Sequence, residues 1–169
     1  MGLGYPGGPL MDKAAQGGRI DAIKLPRSRI TDSLDFSFSG LKTAALNQLN
    51  QLQQAAARQM QSWQDLVPLR DFAASFQQAV VDVLVDHTFQ ALGQFNLKQL
   101  ALAGGVAANS CLRRCMAERA AAAGIHLTCP PLVLCTDNAA MIAAAGFYAF
   151  QAGVRDDLSL NAVASLELG

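Results

Sequence analysis

Three turns along the chain carry the residues with the clearest potential for chemistry, and the first turn is Tyr5 to Pro9. Consecutive glycines let a ligand approach the backbone without meeting a Cβ atom, and the free N–H groups of a helix start attract oxyanions. A short helix is predicted over Pro9 to Gln16, and Asp12 in it can accept hydrogen bonds from a pair of hydroxyls such as those of a ribose. An ordinary Pro-Gly turn followed by a solvent-facing aspartate fits the same residues, so both interpretations stay open.

The second turn, Gly104 to Asn109, follows a short apolar run and precedes an alanine-rich segment. Nucleotides bind at this position in α/β sheets, although the G-x-G-x-x-G fingerprint of dinucleotide sites is absent. The Asn109 side chain offers a donor and an acceptor, which suits the edge of a purine or a ribose hydroxyl. A tight turn that serves only helix packing is the competing interpretation.

The third turn, Cys135 to Met141, places Asp137 at the start of a predicted helix. An aspartate in this position can cap the helix by accepting its first N–H groups. It can also bind a divalent metal ion, because hard cations prefer carboxylate oxygens. Taken alone, the pattern favours the cap.

A further polar segment, Asp35 to Thr43, surrounds a predicted junction between a strand and a helix. Ser39 is a candidate cap for that helix, and Lys42 is placed where it can contact a phosphate. A capped surface helix with a solvated lysine fits equally well.

The four cysteines and two histidines lack the spacing of a known metal or catalytic set. Cys111 and Cys115 are one helical turn apart, and His126 and Cys129 follow, but this spacing matches no closed zinc pattern. We expect Cys115 and Cys129 to be small buried residues and His126 to be a hydrogen-bonded core histidine. The sequence contains no recognisable Walker loop and no Ser/His/Asp or Cys/His catalytic set.

The elements that position these turns follow from the periodicity of the apolar residues. A half-buried strand is predicted over Leu34 to Phe38, where apolar and polar residues alternate. The second half alternates strand, glycine turn, helix, strand, proline turn and helix, which favours a parallel sheet with ligands at the carboxyl ends of its strands. The other predicted elements are helices over Gly40 to Met60, Leu69 to Gln90, Ala107 to Ala123 and Asp137 to Gln151, and strands over Gln99 to Ala103 and Ile125 to Thr128.

The composition excludes several classes of protein. The 169 residues are 51% hydrophobic and 15% charged, which indicates a globular domain with a sizeable core. A formal net charge of +0 excludes nucleic-acid binding through bulk positive charge. No apolar stretch approaches the roughly 20 residues that span a bilayer, residues 1–9 do not resemble a secretion signal, and the cysteines fit the reducing cytosol. The basic residues form two groups, one of Lys24, Arg27 and Arg29 and one of Arg113 and Arg114. Such groups are usually solvated.

Taken in their order, four motifs resemble those of the TsaD family, the tRNA N6-adenosine threonylcarbamoyltransferases. The motifs are Tyr5-Pro-Gly-Gly-Pro, Phe36-Ser-Phe-Ser-Gly-Leu-Lys-Thr-Ala44, Gly104-Gly-Val-Ala-Ala-Asn109 and Cys135-Thr-Asp-Asn-Ala-Ala-Met141. The resemblance implies an α/β lobe of the ATPase fold that actin, Hsp70 and sugar kinases share, with a ribonuclease H-like sheet and flanking helices. Residues 1–169 are similar to the carboxyl-terminal lobe alone, and we expect the amino-terminal lobe to be joined at the glycine-rich start.

The resemblance also implies a reaction and the residues that serve it. The family transfers the threonylcarbamoyl group from threonylcarbamoyl-AMP to N6 of adenosine 37 in tRNAs that read codons beginning with A. By the matching motifs, Gly8 and Asp12 border the nucleotide, Asn109 holds its adenosine part, and Asp137 binds a divalent metal ion, Fe2+ or Zn2+. The implied partners are tRNA and other threonylcarbamoyladenosine-synthesis proteins of the cytoplasm, including a noncatalytic paralogue of the same fold, with no membrane.

The chain departs from the family pattern in its histidines. The family also holds its metal with an H-x-x-x-H motif of the amino-terminal lobe, whereas His87 and His126 lie on different predicted elements. We therefore predict that the isolated chain binds metal and nucleotide weakly and transfers nothing. Ser39 and Lys42 come near the cleft without an assigned role. A noncatalytic interaction module of the same fold stays open, as does a sugar or acyl kinase, which the motif at Phe36 to Ala44 disfavours.

Overall fold

The computed structural model describes residues 1–27 and 33–165 as a helical lobe with a small sheet. In these ranges the chain forms six α-helices, two short β-strands and two 3-10 turns. The helices are α1 (Gly7–Ala14), α2 (Ser39–Arg58), α3 (Trp63–Leu66), α4 (Leu69–Gln94), α5 (Ser110–Ala123) and α6 (Ala139–Gln151). The strands are β1 (Gln99–Ala101) and β2 (His126–Thr128), and the 3-10 turns, Gly105–Ala108 and Leu132–Leu134, precede α5 and α6.

The unit of β1, α5 and β2 has the predicted parallel arrangement. Leu100 of β1 pairs with Leu127 of β2, and α5 makes the crossover between the two strands. Gly124 ends α5 in the left-handed conformation with φ of 64°, which glycine adopts without steric cost. The pairing confirms the prediction of an α/β lobe.

The long helix α4 is central to the packing, because both of its sides contribute to apolar clusters. One cluster joins α4 to α2 and to the segment before α2, and it contains Ile23, Leu25, Leu41, Ala45, Leu49, Phe72 and Ala79. The other joins α4 to α5 and contains Val81, Val85, Cys111, Leu112 and Met116. Burial of these side chains fixes α2 and α5 against a common scaffold.

The predicted strand over Leu34 to Phe38 is wrong, because these residues form no regular secondary structure. Phe36 stacks on Phe38 with ring centroids 6.1 Å apart and on His87 of α4 with centroids 5.0 Å apart. Alternate side chains point to the same side of any extended backbone, whether or not it joins a sheet. The alternation here reflects packing against a helix.

The helix α6 exposes nearly all of its surface. Of its 13 residues, Ala149 is half-buried and the others are exposed, although the helix is apolar on all sides. An exposed apolar surface of this kind marks a contact site for another structure. Within the described ranges, no helix has both the length and the apolar character needed to cross a membrane.

The connector between α1 and α2 is tied to α4 by Asp71 and Ser75. The Asp71 carboxylate accepts hydrogen bonds from the Arg19 backbone N–H at 3.0 Å and from the Arg19 Nε at 3.2 Å. The Ser75 hydroxyl accepts from the Ile23 N–H at 3.1 Å and donates to the Arg19 carbonyl oxygen at 3.1 Å. The backbone hydrogen bond from Arg19 is the main cause of a lowered pKa at Asp71, and desolvation opposes it.

The hydrogen bonds between Asp71 and Arg19 make the stability of the chain depend on pH in a defined direction. Because the folded-state pKa of Asp71 lies below the ordinary value of 3.8, the stabilisation is present above that value and is lost as pH falls through the folded-state pKa. The difference in unfolding free energy between wild type and Asp71→Asn should therefore be large at neutral pH and small in acid. Urea unfolding at both pH values measures it, with the exposed Asp21→Asn as a control. An equal difference at both pH values would contradict the assignment.

Candidate functional site

A cavity of about 680 Å³ lies between α1, α4 and the start of α5. Three of the four predicted site residues, Gly8, Asp12 and Asn109, line it. The apolar part of the lining comprises Phe76, Val80, Val81, Leu84, Val106 and Leu112. The volume and the apolar lining are typical of small-molecule sites. The turn that follows β1 forms one wall, so the cavity is at the carboxyl end of that strand, as predicted.

Asn109 is fixed by two hydrogen bonds of its side chain. Oδ1 accepts from the Leu112 N–H at 2.9 Å and thereby caps α5, while Nδ2 donates to Oε1 of Gln77 at 2.9 Å. The preceding Gly104 has φ of 87°, a conformation that favours glycine. The turn therefore serves helix packing, and one Nδ2 hydrogen of Asn109 remains for a ligand.

Asp12 connects α1 to α5. Its carboxylate accepts hydrogen bonds from the Ser110 N–H at 3.1 Å and from the Ser110 hydroxyl at 2.8 Å. The interpretation of a solvent-facing aspartate is wrong, because Asp12 is half-buried and both of its oxygens have partners. A ligand with two adjacent hydroxyls can replace the Ser110 hydroxyl at this carboxylate.

Gly8 lies in the first turn of α1, at the exposed rim of the cavity. The N-cap residue of α1 is Pro6, and among the described residues no side chain caps this helix start, so its first free N–H groups are available to an anion. A Cβ atom at Gly8 would meet no other atom within 4 Å. The backbone at this rim is therefore open to an approaching ligand.

Asp137 does not line the cavity, and it is not a helix cap. Asn138 caps α6 instead, since its Oδ1 accepts from the Met141 N–H at 3.0 Å. The Asp137 side chain is exposed. No group of three or more His, Cys, Asp or Glu side chains in residues 1–27 and 33–165 is placed to hold a metal ion. The described residues thus do not complete a metal site, and Asp137 supplies one ligand at most.

Ser39 and Lys42 are exposed and lie away from the cavity lining. The prediction that Ser39 caps α2 is wrong, because Ser39 is the first residue of the helix and the cap position belongs to Phe38, whose side chain accepts no hydrogen bond. The Ser39 hydroxyl lies 3.2 Å from the Ser37 hydroxyl. Neither Ser39 nor Lys42 has a role that the geometry defines.

The predicted environments of the histidine and of two cysteines need correction. His126 is exposed, whereas the next residue, Leu127, packs against the cluster between α4 and α5, so the core-histidine prediction is wrong. Cys115 and Cys129 are half-buried rather than buried, and all four cysteines are free. Burial raises the pKa of the Cys111 thiol to about 11, and the neighbouring Cys115 thiol adds to this shift.

Cys111 is therefore expected to react with iodoacetamide more slowly than Cys115 at mildly alkaline pH. The thiolate is the reactive form of cysteine, and the raised pKa and burial of Cys111 both limit its reaction. Peptide mass spectrometry over a time course gives the two rates within one sample. Faster labelling of Cys111 would contradict this environment.

The candidate basic residues have mostly local partners. Arg113 donates to the Ala107 carbonyl at 2.6 Å and to the Pro130 carbonyl at 2.7 Å, so it stabilises the loops around α5. Arg29 lies outside the described residues. The remaining three are exposed or paired with acidic side chains, and they are Lys24, Arg27 and Arg114. Arg113 is thus a structural residue, and the described positions Lys24, Arg27 and Arg114 define no RNA-binding surface.

Gln77 is a cavity residue that the sequence motifs did not reveal. It lies in the middle of α4, is 9% exposed and contacts the cavity beside Asn109. The only signal in the sequence is a glutamine one turn from Ala73 and Val81, on a face that is otherwise apolar.

The fold is an α/β lobe with a largely apolar cavity at the carboxyl end of a parallel strand. The sequence model of the TsaD family, tRNA N6-adenosine threonylcarbamoyltransferase, matches residues 1–144. The chain belongs to this family of transferases.

Curated relatives show how much of a family member the chain represents, and each of the following is named tRNA N6-adenosine threonylcarbamoyltransferase. The relative from Clostridium botulinum is 48% identical over 170 residues, which cover 100% of this chain and 48% of that protein. The relative from Symbiobacterium thermophilum is 50% identical over 169 residues, with 100% and 47% covered. The relative from Thermomicrobium roseum is 46% identical over 179 residues, with 99% and 48% covered. The chain spans about half the length of these relatives.

Proposed function

We propose that the cavity binds the adenylate part of threonylcarbamoyl-AMP and that this chain acts as the carboxyl-terminal lobe of a tRNA N6-adenosine threonylcarbamoyltransferase. The group transferred is threonylcarbamoyl, and the acceptor is N6 of adenosine 37 in tRNAs that read codons beginning with A. The observation that carries the proposal is the convergence of Gly8, Asp12 and Asn109 on one cavity. Gly8 and Asn109 belong to two of the family motifs and are 101 positions apart in the sequence, and Asp12 lies three residues after the first motif.

Each part of the cavity suits one part of that ligand. The apolar wall around Val80, Leu84 and Val106 suits the flat faces of a base. Asp12 suits the two ribose hydroxyls, and the N–H groups at the start of α1 suit the phosphate. The amine of an adenine base is a weak nucleophile, so this lobe contributes to the rate by holding the acyl donor in position.

This chain spans about half the length of its relatives. We propose that the other half provides the further metal ligands and a surface for α6. We propose that Asp137 is one ligand of a divalent ion, Fe2+ or Zn2+, whose other ligands lie outside the described residues. The exposed apolar surface of α6 is proposed to pack against the other lobe, and tRNA and the other synthesis proteins are proposed to bind the full-length protein in the cytoplasm. The contacts proposed between the cavity and the adenylate do not involve this metal ion.

The isolated chain is expected to transfer no threonylcarbamoyl group to tRNA. The described residues do not complete a metal site, and a net charge of +0 gives no bulk attraction for RNA. Mass spectrometry of the nucleosides from tRNA, after incubation with threonylcarbamoyl-AMP, measures the product. Formation of threonylcarbamoyladenosine clearly above the level of a reaction without the chain would contradict this prediction.

A noncatalytic interaction module is the alternative function, and the exposed apolar α6 is the observation that favours it. An NMR titration of the chain with AMP separates the two functions. Saturable shifts of the backbone signals of Gly8, Asp12 and Asn109 support the nucleotide site. Unchanged signals at millimolar AMP would remove the nucleotide site and leave the interaction module.

A further inference from the structure

We propose that Gln77 determines ligand specificity in the cavity by presenting hydrogen-bond donors, together with Asn109, to a ring nitrogen of a bound purine. The inference rests on the proposed nucleotide site. It adds a residue that lies on α4, outside the four family motifs.

The orientation of the two side-chain amides follows from one fixed partner. The Leu112 backbone N–H can only donate, so Oδ1 of Asn109 must face it and Nδ2 must face Gln77. Because Nδ2 also can only donate, Oε1 of Gln77 is its acceptor. The Nε2 group of Gln77 therefore takes no part in the hydrogen bond between the two side chains.

Within residues 1–27 and 33–165, the Nε2 group of Gln77 has no hydrogen-bond partner, yet it is not sealed inside the protein. Among the side chains of those ranges, the fully buried nitrogen or oxygen that has no partner is Nδ1 of His87, and Nε2 of Gln77 is not such an atom. Nε2 of Gln77 is therefore not enclosed, and Gln77, which is 9% exposed, lines both this cavity and an adjoining one of about 400 Å³ that also borders Asp12. Polar groups in such surroundings are normally hydrogen-bonded, so a free amide here is suited to a ligand.

Within the described residues, three N–H hydrogens of this amide pair have no hydrogen-bond partner, two on Nε2 of Gln77 and one on Nδ2 of Asn109. Each of the two side-chain oxygens already accepts one hydrogen bond, so donors are the groups that the pair mainly offers to a ligand. The surrounding wall is apolar, with Val80, Val81 and Leu84 nearby in the lining. A planar apolar ring with an acceptor at its edge matches this arrangement, and the N3 or N7 atom of a purine is such an acceptor.

NMR titrations of the chain with AMP test the inference in three variants. Gln77→Glu keeps the size of the side chain and an acceptor for Asn109 but removes both donors. Gln77→Met removes all polar groups at the same length. Gln78→Met is the matched control, because the neighbouring Gln78 donates to Asp82 at 2.7 Å and does not line this cavity.

We expect the side-chain amide signals of Gln77 to move when AMP is added to the wild type. The Kd for AMP should rise about tenfold in Gln77→Glu and Gln77→Met and stay within about twofold in Gln78→Met, as for the loss of a hydrogen bond. Either 3-deaza-AMP or 7-deaza-AMP should bind the wild type about tenfold more weakly than AMP, and Gln77→Met should not distinguish it from AMP.

The outcomes separate this inference from the proposed function. AMP binding that leaves the Gln77 side-chain signals unmoved, or an unchanged Kd in Gln77→Glu, overturns the role of Gln77 and leaves the nucleotide site standing. A wild-type chain that shows no saturable change with AMP overturns both. Since the wild-type signals and the deaza analogues need no variant, a misfolded Gln77 variant does not remove the test.

Discussion

Replacing Gly18 with alanine is expected to lower the free energy of unfolding by about 3 kcal/mol, as overpacking at a close contact does. A Cβ atom at Gly18 would lie 2.2 Å from the carbonyl oxygen and 2.6 Å from the carbonyl carbon of Arg70. Both atoms belong to the backbone at the start of α4, and the next residue, Asp71, holds the connector through Arg19. The added methyl group must therefore push the connector away from α4 at the place where the two are bonded.

Urea unfolding monitored by circular dichroism measures this loss. Gly93→Ala is the matched control, because Gly93 lies in the last turn of α4 and a Cβ atom there meets nothing within 4 Å. Alanine is a better helix former than glycine, so Gly93→Ala should change the stability by less than about 1 kcal/mol, in the favourable direction. If Gly18→Ala proved as stable as Gly93→Ala, the close approach of connector and helix would be wrong.

Asn109→Ala is expected to lower the free energy of unfolding by about 2 kcal/mol and to weaken AMP binding. Loss of the cap on α5 costs about 1 kcal/mol, and loss of the donor to the buried Gln77 oxygen costs a similar amount. Binding weakens because one donor of the amide pair disappears and the other is no longer oriented.

Asn138→Ala is the control for this variant. Asn138 caps α6 through the Met141 N–H at 3.0 Å, but it does not line the cavity. It should therefore lose about 1 kcal/mol and bind AMP like the wild type. Equal losses of stability in the two variants, with AMP binding unchanged in both, would contradict the double role of Asn109.

The sequence predicted the elements whose ends are marked by particular residues. Gly124 ends α5, Pro130 and Pro131 separate β2 from α6, and the glycines at 104 and 105 separate β1 from α5. These residues act through local backbone conformation, which neighbouring positions in the sequence determine. These glycines and prolines therefore made it possible to predict where the neighbouring helices and the parallel strands lie.

Long-range contacts account for what the sequence did not predict. The hydrogen-bond partner of Asp12 is Ser110, 98 residues away, and the residues around Asp12 do not predict this contact. Phe36 has the alternation of a strand but packs on His87 of a helix. Gln77 has the appearance of one more glutamine on a helix until its hydrogen bond to Asn109 is known.

The exposure of α6 also escaped prediction, for a different physical reason. A helix that is apolar on all sides is expected to be buried. In the described residues it is exposed, since no other element covers it. Sequence pattern indicates that such a helix needs a partner but not where the partner lies.

A chimeric enzyme shows whether these residues act as the carboxyl-terminal lobe of a threonylcarbamoyltransferase. In the full-length relative from Clostridium botulinum, 48% identical to this chain over the matched half, that half is replaced by these 169 residues. The purified chimera is then assayed for threonylcarbamoyladenosine in tRNA, with Asn109→Ala and Asn138→Ala versions beside it. We expect the chimera to form product, and we expect Asn109→Ala to reduce the rate at least about tenfold while Asn138→Ala does not. A folded chimera without activity beside an active parent, or full activity in Asn109→Ala, would contradict it.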